Sequence, residues 1–159
     1  MEGLVGSELL FNTFRGKKVF ITGDSGFKGS WLSVILLNLG AEVSGYSLPE
    51  KNENDLFRVL KLREKINHID GDIRDFAKLT NHLSSIKPDF IFHLAAQPLV
   101  INSYLDPKTT FETNIMGTMN LFEAIRSFSN SEKVIVVNVT TDKCYHNSEQ
   151  MWGYREEDK

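Results

Sequence analysis

Three glycines at fixed spacing constrain this chain more than any other feature. They form Gly23-Asp24-Ser25-Gly26-Phe27-Lys28-Gly29, set between an apolar run and a helical stretch. Lys18-Val19-Phe20-Ile21-Thr22 is short, apolar and stopped by glycine, the pattern of a buried parallel strand. Lys28 to Leu39 follows, with Trp31, Leu32, Ile35, Leu36 and Leu39 expected on one helical stripe. Gly40 stands where a helix ends on a left-handed residue. A glycine turn joining strand to helix suits a phosphate ligand, because the helix N-terminus offers unpaired N–H groups and a partial positive charge. Gly23 is expected to permit the tight turn, Gly26 to let backbone approach a pyrophosphate, and Gly29 to let the helix lie against the strand. Together they predict a dinucleotide site, with NAD(P) as the ligand. The bland alternative is a strand-to-helix turn that holds no ligand.

Strand and helix alternate along the rest of the chain. Strands are expected at 41–47, 66–70, 90–94 and 134–139. Helices are expected at 56–63, at 75–86 with Asp75 as cap, and as one long element at 109–128. Such alternation predicts an α/β fold: a Rossmann-type doubly wound parallel sheet, truncated after about five strands. All 159 residues are expected to form one nucleotide-binding domain. Leu9, Leu10 and Phe11 are expected to form a short lid over the sheet edge. Net charge is −3, so no general attraction to nucleic acid or anionic membrane follows. The single cysteine, Cys144, excludes an internal disulfide and a Cys-based zinc site, and suits a cytoplasmic location. His68, His82 and His146 are scattered, so no metal site is expected, and His93 is read as a core or supporting residue. No stretch approaches the ~20 apolar residues of a membrane span.

The spacing Thr22-Gly23-x-x-Gly26-Phe27-x-Gly29 resembles the extended short-chain dehydrogenase/reductase superfamily of nucleotide-sugar epimerases and dehydratases. Three more segments carry the resemblance: Gly71-Asp72-Ile73-Arg74-Asp75, His93-Leu94-Ala95-Ala96-Gln97 and Thr113-Asn114-x-x-Gly117-Thr118. It implies that Asp72 and Ile73 meet adenine, and that Leu94, Ala95, Ala96, Gln97 and Thr113 line the cofactor beside Gly23, Ser25, Gly26, Phe27, Lys28 and Gly29. Gly26-Phe27-Lys28-Gly29-Ser30-Trp31-Leu32, the continuation Pro98-Leu99-Val100, Thr141-Asp142-Lys143-Cys144-Tyr145 and Trp152-Gly153-Tyr154-Arg155-Glu156 narrow it. Together they resemble the CDP-glucose 4,6-dehydratases, which are lyases. That resemblance implies NAD as cofactor, CDP-glucose as the nucleotide-sugar substrate and a homodimer in the intact enzyme.

It further implies catalysis by Thr141, Asp142 and Lys143, with Asp142 as acid for the departing C6 hydroxyl and Lys143 serving in the elimination. A lysine base must be neutral, so burial or a nearby cation must lower its pKa. The superfamily's redox step resembles acid–base chemistry by a Tyr-x-x-x-Lys pair. Tyr145 is followed four residues on by Glu149, and Tyr154 by Asp158. Tyr104 to Lys108 has the spacing, but Pro107 interrupts the turn. The catalytic helix and the nucleotide-sugar region are therefore expected outside these residues, and the chain alone is expected to be inactive. Apolar Ile115, Met119 and Phe122 would normally be covered by helices outside these residues or by a second subunit, and if bare they favour self-association. The second strand ends Gly45-Tyr46-Ser47-Leu48 without the usual ribose-binding acid, and Glu50 is the nearest, which predicts modest affinity. Alternatives are another NAD-dependent epimerase or reductase of the superfamily, or a non-catalytic NAD-binding module.

Overall fold

A computed structural model of the chain describes residues 2–127, 133–141 and 144–159. Five strands, β1 (Lys18–Thr22), β2 (Glu42–Ser47), β3 (Asn67–Asp70), β4 (Phe90–His93) and β5 (Ile135–Asn138), form one sheet. Their order is β3-β2-β1-β4-β5, and every pairing is parallel. The order turns back between β1 and β4, where Thr22 stands opposite His93. In a doubly wound sheet that reversal opens a crevice beyond the carboxyl ends of the strands.

The central strand β1 is a short apolar run because both of its faces are covered. Val19 and Ile21 face one core with Leu36, Val43, Phe57 and Leu62. Phe20 faces the other with Tyr46, Leu79, Leu83, Ile91 and Leu121. The second core is closed by α4 (Phe76–Ile86) and α7 (Gly117–Ser127). Asp75 caps α4 by accepting the Lys78 N–H at 3.0 Å, as expected. Each leucine fully buried there stabilises by roughly 1.5–3 kcal/mol.

Several local expectations need correction. The N-terminal segment is a helix, α1 (Glu2–Phe14), and Leu9 is 67% exposed, so the apolar trio is no lid. Phe14 does the packing, with its ring 4.9 Å from Phe90 and 6.3 Å from Phe92. Helix α2 (Phe27–Asn38) buries Gly29, Ser30, Ser33 and Leu36, while Trp31 and Ile35 are exposed. The helix begins so close to the glycine turn that only small side chains fit between it and the sheet. The buried Ser30 and Ser33 hydroxyls donate to Gly26 O and Gly29 O, each at 2.8 Å, so burying them leaves no polar group unsatisfied.

The 56–63 helix is two pieces, α3 (Leu56–Val59) and a 3₁₀ turn (Leu62–Glu64), split at Lys61 in the left-handed region. The expected long helix runs unbroken over 107–127, with a π-helical turn inside it. After α5 (Val100–Leu105), Asp106 caps α6 (Pro107–Phe111) by accepting from Thr109 N. A π-helical turn (Glu112–Met116) then leads into α7. No helix among the described residues is long and apolar enough to cross a membrane.

Candidate functional site

The glycine turn leaves β1 at the point where strand order reverses. Gly23 has φ +77° and donates its N–H to Tyr46 O at 2.9 Å. A Cβ there would sit 2.8 Å from Ala95 N, so the residue is wedged between β2 and the loop after β4. A Cβ on Gly29 would overlap the Gly23 carbonyl, which confirms the close helix–strand approach. Gly26 differs. It is exposed at the N-cap of α2, its φ of −71° is ordinary, and a Cβ would meet only Gly23 O at 3.3 Å. No side chain caps the first turn of α2 at this position. Phe27 and Lys28 lie exposed on that same turn.

Ser25 and Ser47 meet across the mouth of the crevice. Ser47 Oγ donates to Ser25 Oγ at 2.8 Å, and Ser25 Oγ donates to Leu48 O at 3.1 Å. Glu50, the acid nearest the end of β2, is engaged by Arg63 at 2.9 Å. The same guanidinium forks onto Asp70 at 2.8 and 3.1 Å. Arg63 thereby holds Asp70 down at about 2 and Glu50 below the usual carboxylate range. Neither Arg63 nor Asp70 stands in a recognisable motif position. Their only signal is the alternation of His68 and Asp70 on one face of β3.

Asp72 is gripped by Arg74, whose side chain approaches Oδ2 at 2.6 Å and whose N–H reaches Oδ1 at 2.9 Å. That hydrogen bonding holds the Asp72 carboxyl below its ordinary value. The Ile73 side chain is buried in the core against Gly117, where any Cβ would overlap it. Ile73 therefore offers the crevice its backbone alone. The segment is anchored by Tyr46, whose hydroxyl donates to Asp72 O at 3.0 Å and whose phenol is pushed up to about 12 by burial, then Asp75 and Asp72. Asn120 Nδ2 donates to Ile73 O at 3.2 Å and Arg74 O at 3.1 Å.

His93 organises the loop after β4. Its Nδ1 lies 2.6 Å from Thr22 Oγ1 and its Nε2 2.9 Å from Thr118 Oγ1. Thr118 donates to Asn114 O, so it accepts from Nε2–H, and Nδ1 accepts from Thr22. Thr22 Oγ1 in turn accepts the Ala95 N–H at 3.2 Å. Burial pushes the His93 pKa down, which matches a neutral ring in this directed chain. Asn114, in the π-helical turn beside half-buried Thr113, clasps Gln97. Its Oδ1 accepts the Gln97 N–H at 2.7 Å, and its Nδ2 donates to Gln97 O at 3.1 Å. Gln97 Nε2 donates to Thr110 Oγ1 at 2.9 Å. Leu94 and Ala95 are partly buried, and Ala96 is exposed.

Thr141 is exposed, three residues beyond the end of β5. Asp142 and Lys143 lie outside the described residues. Tyr104 and Lys108 fall on separate helices, α5 and α6, and Lys108 pairs with Glu112 at 2.7 Å. They form no catalytic pair, as Pro107 implied. Ile115, Met119 and Phe122 are 54%, 47% and 44% exposed, so this apolar face is largely uncovered.

This geometry has relatives. The sequence profile of the GDP-mannose 4,6 dehydratase family matches residues 20–159. A CDP-glucose 4,6-dehydratase of Salmonella typhimurium is 49% identical over 145 residues, covering 91% of this chain and 40% of that protein. A CDP-paratose 2-epimerase of Salmonella typhi is 34% identical, over 84% of this chain and 39% of that protein. The chain thus spans about two-fifths of the length of these curated relatives. Among solved structures, the UDP-glucose 4-epimerase of Thermus thermophilus in complex with NAD is 30% identical with a TM-score of 0.61. The match covers 69% of this chain and 33% of that one. An epimerase of Methanothermobacter thermautotrophicus shares the fold at TM-score 0.72 and 23% identity, over 96% of this chain and 43% of that one. A glycine turn at the switch point, a clasped β4 loop and a match over nearly the whole chain agree: the protein belongs to the GDP-mannose 4,6-dehydratase family.

Proposed function

We propose that this chain is the N-terminal NAD-binding portion, residues 1–159, of a cytoplasmic nucleotide-sugar 4,6-dehydratase acting on CDP-glucose. One observation carries the cofactor reading. Of the three turn glycines, Gly23 and Gly29 are packed against backbone, and Gly26 alone opens outward at an uncapped helix N-terminus. That is the cradle a pyrophosphate needs. Gly23, Ser25, Gly26, Phe27, Lys28 and Gly29 would hold the phosphates. The Asp72 carboxyl and the Ile73 backbone would meet adenine, and Leu94, Ala95, Ala96, Gln97 and Thr113 would line the remainder. NAD bound there supplies the acceptor for hydride from C4 and the donor that returns it to C6.

The CDP-glucose assignment rests on the 49% identity to a protein of that name and on the Thr141-Asp142-Lys143 segment. Asp142 would protonate the departing C6 hydroxyl, and Lys143, kept neutral, would remove the C5 proton. Thr141 would orient the sugar beside them. The chain alone would bind NAD without turnover, and the bare face at Ile115, Met119 and Phe122 would be covered in an intact homodimer.

Calorimetry tests the first step: the chain should bind NAD, and Gly26→Val should abolish binding. No NAD binding at millimolar cofactor would refute the reading. In a full-length protein, Lys143→Met should abolish dehydration. Normal dehydration by that variant would refute the role given to Lys143, and a full-length protein that does not dehydrate at all would point instead to an epimerase or reductase, which needs no elimination pair.

A further inference from the structure

Beneath the glycine turn lies a line of charged side chains that the proposed chemistry leaves unused. Asp24, between Gly23 and Ser25, turns its carboxylate into the sheet. It lies over Gly45 of β2, where any Cβ would overlap it. Its Oδ2 stands 2.6 Å from Nδ1 of His68 on β3, and neither side chain has exposed surface. On the far side of the ring, Nε2 stands 3.1 Å from Asp70 Oδ1. Asp70 is held by Arg63, and Arg63 by Glu50. The Phe57 ring of α3 closes over the imidazole at 4.8 Å and brings no charge. Asp24 Oδ1 is buried without a hydrogen-bond partner among the described residues.

Both ring nitrogens of His68 thus face carboxylate oxygens. A neutral imidazole has one N–H and satisfies one of these contacts, whereas the imidazolium has two and satisfies both. The charged groups around the ring are Asp24 from the turn, Asp70 from its own strand, and Arg63 with Glu50 from the segment between β2 and β3. The one cation among them, Arg63, is already committed to Asp70 and Glu50. Burial opposes charge on His68, but the hydrogen bond and field of Asp24, then Asp70, outweigh it and hold the pKa above its ordinary value.

Asp24 also ties the turn to its surroundings through its backbone. Its carbonyl shares the Ser30 hydroxyl proton with Gly26 O, at 3.2 and 2.8 Å, and the preceding Gly23 N–H is fixed to Tyr46 O. A shift of the carboxylate therefore moves the backbone that leads into Gly26 and the α2 N-terminus.

We infer that His68 is a positioning residue: its contacts with Asp24 and Asp70 hold the glycine turn in the form that receives a pyrophosphate, which makes cofactor affinity proton-linked. This rests on the NAD reading above. The sign follows from the raised pKa. The clamp is complete below the unfolded value of 6.5 and is lost as pH rises through the folded value. NAD should therefore bind most tightly at the acid end.

The test combines two measurements on the chain. NMR titration of its four histidines gives the His68 midpoint. Calorimetry with NAD from about pH 6 to about pH 9, in buffers of different ionisation enthalpy, gives the affinity profile and the protons taken up. Affinity should weaken by about tenfold across the His68 midpoint, a usual size for a coupling, with proton uptake on binding near it. His68→Gln should bind weakly with a flat profile, and Asp24→Asn should lower the His68 midpoint. A wild-type profile that stays flat through the His68 midpoint overturns the inference and leaves the NAD reading intact. Absence of NAD binding at every pH defeats both. The wild-type comparison needs no variant, so poor folding of His68→Gln does not blunt it.

Discussion

Gly26 and Gly29 lie three residues apart in one turn, yet an added methyl group should act on different properties at each. At Gly29 it would overlap Gly23 O and stand 2.7 Å from Asp24 Cα and 2.9 Å from Gly23 C. All three are backbone atoms of the same turn and cannot rotate aside. Overpacking of this kind costs about 1–3 kcal/mol, and rigid backbone neighbours place Gly29→Ala in the upper half of that range. The smaller entropy of the unfolded alanine chain offsets about 0.4–1 kcal/mol. A net loss of about 2 kcal/mol is expected, with impaired NAD binding as well. At Gly26 the methyl would meet only Gly23 O, at 3.3 Å, on a backbone with φ −71° and ψ 168° that any residue adopts. Alanine is a poorer N-cap than glycine by about 0.5–1 kcal/mol. The unfolded-state gain is about the same size, so stability should change by under about 0.5 kcal/mol. The methyl would nonetheless occupy the place of a phosphate oxygen, so NAD affinity should fall by at least about tenfold, or about 1.4 kcal/mol. Urea unfolding and calorimetry on both variants separate the two effects. Wild-type NAD affinity in Gly26→Ala, or wild-type stability in Gly29→Ala, would refute the assignment of roles.

Two further variants probe the scaffold. His93→Ala should cost about 1–3 kcal/mol in urea unfolding, because it strands the hydroxyl of Thr22 and breaks the chain to Thr118. Since burial lowers the folded pKa of His93, its contribution is present above 6.5 and is lost as pH falls below that value, so the acid arm of the wild-type stability curve should flatten in this variant. Asp75→Ala removes the cap on Lys78 N and should cost about 1 kcal/mol, read as a lower urea midpoint at unchanged slope.

Much of this architecture is legible in local sequence. The apolar runs at Lys18–Thr22 and Phe90–His93 are strands because both of their faces are covered, and Gly40 and Asp75 end and begin helices through contacts within their own turns. The features that local patterns mislead on depend on distant partners. Trp31 and Ile35 look like a core stripe, but the closeness of α2 to the turn gives that face to Gly29, Ser30 and Ser33. The long helix contains a π-helical turn that carries Asn114, whose partner Gln97 lies 17 residues away in the β4 loop. The His68–Asp24 contact spans 44 residues, so no window along the sequence contains it.

The motifs that carry the family resemblance prove to be largely mutual supports. Gly117 is glycine because Ile73 fills the space its Cβ would take. Thr118 completes the chain from His93, and Asn114 clasps Gln97. The Thr113-Asn114-x-x-Gly117-Thr118 motif therefore fastens the 71–75 segment and the β4 loop together at the crevice, whatever sugar is processed there. Matching it argues for a competent NAD fold more than for a particular reaction. Under the proposed function the choice between dehydratase and epimerase would fall on Asp142 and Lys143, and substitution there should change the reaction while leaving NAD affinity and the urea midpoint where they were.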